Sequence, residues 1–97
     1  ERLRQATVIG REVPFLIPWN DGRQIMEGAI DLLYRIDGEI WIADYKTDMI
    51  PADQVAARVE LYREQARLYR TAVELALGGS VAGFEFIFLR QGMTVTV

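Results

Sequence analysis

Glu27 to Asp48 read EGAIDLLYRIDGEIWIADYKTD, and this stretch decides the fold. Asp37-Gly38 is a strong two-residue hairpin signal, because a type I′ turn needs positive φ at both positions and matches the twist of the flanking strands. The turn sets Ile36 against Glu39. Counting outward without a bulge places Arg35 against Ile40, Tyr34 against Trp41, Leu33 against Ile42 and Leu32 against Ala43. The next pair is Asp31 against Asp44, two carboxylates expected face to face, which ordinary sheets disfavour. Alternation puts Lys46 on the face of Asp44, opposite Ala29.

Ile40-Trp41-Ile42-Ala43 is apolar on both faces and reads as a central strand covered on both sides. Charges at the end of such a strand lose hydration unless paired or bound to a metal. Two readings of the acid pair follow. In one, a divalent cation such as Mg²⁺ compensates the carboxylates, taking oxygen ligands and keeping several waters. In the other, the acids lie beyond the covered sheet and Lys46 neutralises one of them.

Gly28-Ala29-Ile30-Asp31, a short hairpin, then Asp44-Tyr45-Lys46-Thr47-Asp48 resembles the active-site core of the PD-(D/E)XK nuclease superfamily. Within it, the stretch looks like the RecB-like nuclease domains at the C-terminus of bacterial helicase-nucleases. The resemblance runs from about Arg11 to Leu89. It implies a restriction-endonuclease-like α/β fold and a metal-dependent DNA exonuclease acting in double-strand-break repair and recombination. By the same resemblance Asp31 and Asp44 hold Mg²⁺, or Mn²⁺, with the Tyr45 carbonyl as a further ligand, and Lys46 acts on the attacking water or the transition state. Its implied partners are DNA and helicase domains of the same polypeptide or complex.

Composition bounds these readings. The 97 residues make one domain, and the 51% hydrophobic content, with two Trp, four Tyr and four Phe, supplies a core. Eleven basic and fourteen acidic residues give a net charge of −3, which argues against autonomous tight DNA binding. The absence of Cys and His removes disulfides and the usual zinc ligands. No stretch approaches the ~18 apolar residues of a membrane span, so no membrane partner and a cytoplasmic setting are expected.

In chain order, Glu1 to Ala6 has helix-forming residues but is too short for a stable helix alone. A strand is expected over Arg11 to Ile17, near an edge because of Pro14 and Pro18. Within it, Glu12 is either an acid associated with the metal site or an exposed residue paired with a neighbouring base. Asn20-Asp21-Gly22 is a turn, and Gln24 to Ile36 a long strand in which Gly28 marks a bulge or a close backbone approach.

Pro51 suits the start of a helix running to about Leu77, with an apolar stripe at Val55, Val59, Tyr62, Ala66, Tyr69, Val73 and Ala76 and Gly78-Gly79 as its stop. Gln65 and Tyr69, four apart, share one side. They read equally as an ordinary amphipathic helix and as the Gln-x-x-x-Tyr motif of the family, which implies side chains that place DNA or the lysine. Arg58 and Tyr62 lie about a turn earlier, as packing or as substrate contacts. Val81 to Arg90 and Met93 to Val97 read as two further strands. The whole is an α/β domain: a mixed sheet of about five strands with one long helix.

One departure stands out. RecB-like domains usually carry a histidine on a helix before the first strand, and this sequence has none. Three accounts are open: a trimmed domain, the end of a longer polypeptide, or lost activity, the last leaving a nuclease-like module for protein or DNA-end docking. The expectation is a piece of a larger helicase-nuclease, inactive by itself.

Overall fold

The computed structural model describes residues 6–19 and 21–97, without the side chains of residues 17–19 and 26. The expected helical character of residues 1–5 and the place of Asn20 in its turn lie outside the described residues. Five strands, β1 (Thr7–Trp19), β2 (Gln24–Ile36), β3 (Glu39–Lys46), β4 (Val81–Phe88) and β5 (Met93–Thr96), form one sheet in the order β1-β2-β3-β4-β5. A single turn of 3₁₀ helix (Ala52–Gln54) leads into α1 (Val55–Leu77), which carries the chain from β3 to its parallel neighbour β4. A parallel pair needs such a crossover, whereas the antiparallel pairs are joined by turns. No helix among the described residues is long and apolar enough to cross a membrane.

Asp37 and Gly38 have φ of 52° and 79°, the left-handed pair that a type I′ turn demands. The β2–β3 register runs from Ile36↔Glu39 to Leu32↔Ala43 as the turn predicts. β1 starts four residues earlier than the sequence suggests and ends two later, because it pairs with nearly the whole of β2.

Both faces of the sheet are covered. On one, Ile40, Ile42, Phe84, Phe86 and Phe88 pack with Val55, Val59, Ala66, Tyr69 and Val73 of α1. Fully burying side chains of this size stabilises by about 1.5–3 kcal/mol each before chain entropy is counted. Ala76, expected in the helix stripe, is exposed at the last turn. Gly78 closes the helix, its N–H donating to Glu74 O at 2.9 Å. On the opposite face Leu32, Tyr34, Ile36 and Ala43 form a second cluster, where the Tyr34 hydroxyl donates to the buried Glu85 carboxylate.

β2 changes faces part-way. Leu32, Tyr34 and Ile36 pack away from the helix, yet Ile30 packs toward it with Leu33. The β1–β2 register passes from Arg11↔Leu32 to Val13↔Ile30, leaving Glu12 and Asp31 between paired residues, and Glu12 has a φ of 49°. A left-handed non-glycine residue is uncommon and marks where the ribbon turns over. Gly28 instead pairs regularly with Phe15. It is a close approach: a Cβ there would lie 2.5 Å from the Phe15 ring and 3.1 Å from the Tyr69 hydroxyl.

Candidate active site

The site lies where β2 and β3 part. Their ladder stops at Leu32↔Ala43; beyond it β2 continues against β1, and β3 continues against β4 as far as Lys46↔Phe88. The expected ladder pair of Asp31 with Asp44 is therefore absent, and Ala29 pairs with Pro14 rather than with Lys46. The physical reason is a side chain. Ladder alternation would give the Tyr45 N–H to the Ile30 carbonyl, but the Asp31 carboxylate takes it at 2.8 Å. The two acids still meet across the fork.

Asp44 is 8% exposed. Burial, followed by the Asp31 carboxyl within hydrogen-bonding reach, pushes its pKa from 3.8 to about 6 against the opposing pull of Lys46. The Lys46 ammonium sits 2.8 Å from Asp44 Oδ2. That oxygen is buried and has no well-directed hydrogen-bond donor, so the contact is an ion pair.

Gln65 and Tyr69 complete the cluster. Lys46 Nζ donates to Gln65 Oε1 at 3.2 Å, and Gln65 Nε2 donates to the Tyr69 hydroxyl at 3.3 Å. The amide thus faces its oxygen to the cation and its nitrogen to the phenol, the only orientation a lysine donor allows. Burial, and after it the Asp44 carboxylate, raises the Tyr69 pKa. The Phe15 ring stands edge-on to Tyr69 at 4.5 Å, over the gap that Gly28 leaves.

The donor set is two hard carboxylates, one carrying a buried oxygen without a directed donor. Among the described residues no group of three or more Asp, Glu, Cys or His side chains gathers as metal ligands. Two carboxylates with water filling the other positions fit Mg²⁺, which binds through one or two carboxylates, and fit neither zinc nor a soft metal. Glu12 and Arg11 line a cavity of about 250 Å³ with Asp31 and Tyr45; Glu12 itself is exposed.

The family model of the PD-(D/E)XK nuclease superfamily matches residues 1–96. The chain belongs to this superfamily. It is 32% identical over 102 residues to an ATP-dependent helicase/nuclease protein of Staphylococcus carnosus, covering 89% of this chain and 8% of that protein. The protein of the same description from Alkaliphilus oremlandii is 32% identical over 93 residues, covering 84% of this chain and 8% of its own. That from Moorella thermoacetica is 36% identical over 73 residues, covering 75% and 5%. The chain thus spans less than a tenth of these relatives. PD-(D/E)XK nucleases generally use divalent metal ions, in keeping with the hard donors at the fork.

Sequence reasoning missed one group of contacts beside Lys46. Asp48 Oδ2 accepts the Tyr62 hydroxyl at 2.8 Å and Arg58 Nη1 at 2.7 Å, and the Tyr62 ring lies 3.8 Å from Lys46 Nζ. Arg58 and Tyr62 share a helix face at i, i+4, which was legible; their common partner on the β3 exit was not. That exit is clamped from the β4–β5 turn, where Gln91 Nε2 donates to Asp48 O at 2.9 Å and Ile50 O at 2.7 Å, and Arg90 Nε to Thr47 O at 3.0 Å.

Proposed function

We propose that this domain hydrolyses DNA phosphodiester bonds with Mg²⁺, or Mn²⁺, as the nuclease part of a longer cytoplasmic helicase-nuclease acting in double-strand-break repair and recombination. The observation that carries the reading is Lys46 held 2.8 Å from Asp44, beside a second carboxylate, at the fork of β2 and β3. Asp31 and Asp44 would hold the cation, with the Tyr45 carbonyl as a further ligand. A bound divalent cation supplies Lewis-acid activation of water and neutralises charge on the phosphate.

The chain's own residues do the rest. Asp31 has one oxygen directed at the Tyr45 N–H, which fixes the carboxylate plane. Lys46 presents a full positive charge where negative charge grows on the phosphorane, and such preorganised charge is worth far more in a site poor in water. Gln65 holds that ammonium from the helix side, and Tyr69 in turn holds Gln65. Helicase domains of the same polypeptide or complex would supply the surface that holds the DNA, because a domain of net charge −3 neutralises phosphates poorly. The 97 residues alone are expected to cleave little.

The test uses the full-length polypeptide. Lys46→Ala removes cleavage and leaves divalent-ion binding nearly intact; Asp44→Ala removes both. Wild-type binding of Mg²⁺ without any cleavage would instead mark a nuclease-like docking module, and unchanged cleavage by Lys46→Ala would sink the mechanism.

A further inference from the structure

We propose that Tyr62 is a positioning residue for Lys46: its ring forms the wall that keeps the ammonium beside Asp44, and Asp48 with Arg58 fixes that ring. The inference rests on the nuclease reading and adds to it a group that sets the place of the lysine.

The ammonium has three directions to satisfy. Asp44 lies against it at 2.8 Å as an ion pair, and Gln65 accepts one N–H at 3.2 Å. The third is the face of Tyr62, with Nζ 3.8 Å from the ring centroid, well inside the ~6 Å reach of a cation–π contact. Phe86 stands behind at 5.7 Å from Nζ and 5.6 Å from the Tyr62 ring. A lysine stem is long and flexible, and Asp44, alone among these groups, carries the opposite charge. Bound to a cation, Asp44 attracts the ammonium less. The aromatic wall is then what stops Lys46 from swinging out.

The ring is itself held at its far end. Its hydroxyl and the Arg58 guanidinium converge on one oxygen of Asp48, and Asp48 leaves the same strand two residues after Lys46. Lysine and ring anchor thus belong to one short segment, so the wall moves with the group it positions. None of Tyr62, Arg58 and Asp48 is a metal donor in the proposed site.

The experiment uses the full-length polypeptide with Tyr62→Phe, Tyr62→Leu and Lys46→Ala, each checked for wild-type melting behaviour. Two quantities are read: cleavage rate at saturating Mg²⁺, and the rate at which formaldehyde with borane methylates Lys46 in saturating Mg²⁺ and in EDTA, without DNA, followed by peptide mass spectrometry. Tyr62→Leu is expected to slow cleavage roughly 3- to 30-fold, the span of a partly desolvated cation–π contact, and to speed Lys46 methylation. Tyr62→Phe, which keeps the ring but loses its bond to Asp48, is expected to fall between wild type and Tyr62→Leu in both. An unchanged methylation rate in Tyr62→Leu overturns the proposal, as does a Tyr62→Phe variant as defective as Tyr62→Leu. Absence of cleavage in the wild type would overturn the nuclease reading instead, cleavage surviving Lys46→Ala would overturn the role given to the lysine, and in either case the methylation arm would still decide the place of Tyr62.

Discussion

The Asp31 carboxylate accepts the Tyr45 main-chain N–H at 2.8 Å, so an acid side chain does at the fork what a strand carbonyl does elsewhere in the sheet. Asn at this position keeps an acceptor oxygen but no charge. Asp31→Asn should therefore hold the metal-free stability of wild type while losing any stabilisation by millimolar Mg²⁺. Asp31→Ala should lose the hydrogen bond as well and fall by about 0.5–1.5 kcal/mol. Urea unfolding with and without Mg²⁺ separates the two; equal loss in both variants without metal would show that the bond contributes nothing.

Asp44 sets a pH dependence. Its pKa is raised in the folded state from 3.8 to about 6 by burial and by Asp31, so the folded chain binds more protons than the unfolded one between those values. The contribution is favourable below pH 3.8 and is lost as pH rises through about 6. In EDTA, the melting temperature of Asp44→Asn relative to wild type should climb across that window and level off above it. Divalent ions should erase the difference by stabilising only the wild type. A pH-independent gap would mean that the buried carboxyl titrates normally.

The hairpin register was legible from Asp37-Gly38 because a two-residue turn admits one alignment of its flanks, and the apolar run from Ile40 to Ala43 was enough to place a central strand. The end of the ladder was not legible. It depends on Asp31 competing for a backbone N–H, at the point where β2 leaves β3 and stays with β1. The ribbon turns over at Glu12 and Asp31, where no residue type advertises it, and not at Gly28, where a glycine does. Gln65 and Tyr69 stood out by spacing on one helix. The Asp48 contact with Tyr62 joins residues on two elements, and periodicity carries no information about such pairs.

Gly28 is a position beside the site at which a single methyl group should do local damage. Its β-carbon would meet the Phe15 ring at 2.5 Å and the Tyr69 hydroxyl at 3.1 Å, forcing Phe15 off its edge-on contact with Tyr69. Gly28→Ala should cost about 1–3 kcal/mol by overpacking. Gly28→Ala with Phe15→Leu should recover part of the loss, because the shorter side chain vacates the clash. A double variant no better than the single one would place the strain in the backbone.

Gln91 reaches the site without touching it. One amide nitrogen serves the carbonyls of Asp48 and Ile50 at 2.9 and 2.7 Å, in a segment with no ladder partner, and Arg90 holds Thr47 O beside them. Gln91→Ala leaves two partly buried carbonyls without this donor, a loss of about 1–3 kcal/mol. The larger effect should be local: faster amide exchange over residues 47–51, and slower cleavage with unchanged divalent-ion affinity, since Asp48 anchors Tyr62 and supplies no ligand to the proposed cation site. Gln91→Glu should be worse than Gln91→Ala, because a carboxylate facing two carbonyl oxygens repels both. If exchange over residues 47–51 is unaltered in Gln91→Ala, the clamp does not hold the strand exit and the order of the two variants loses its basis.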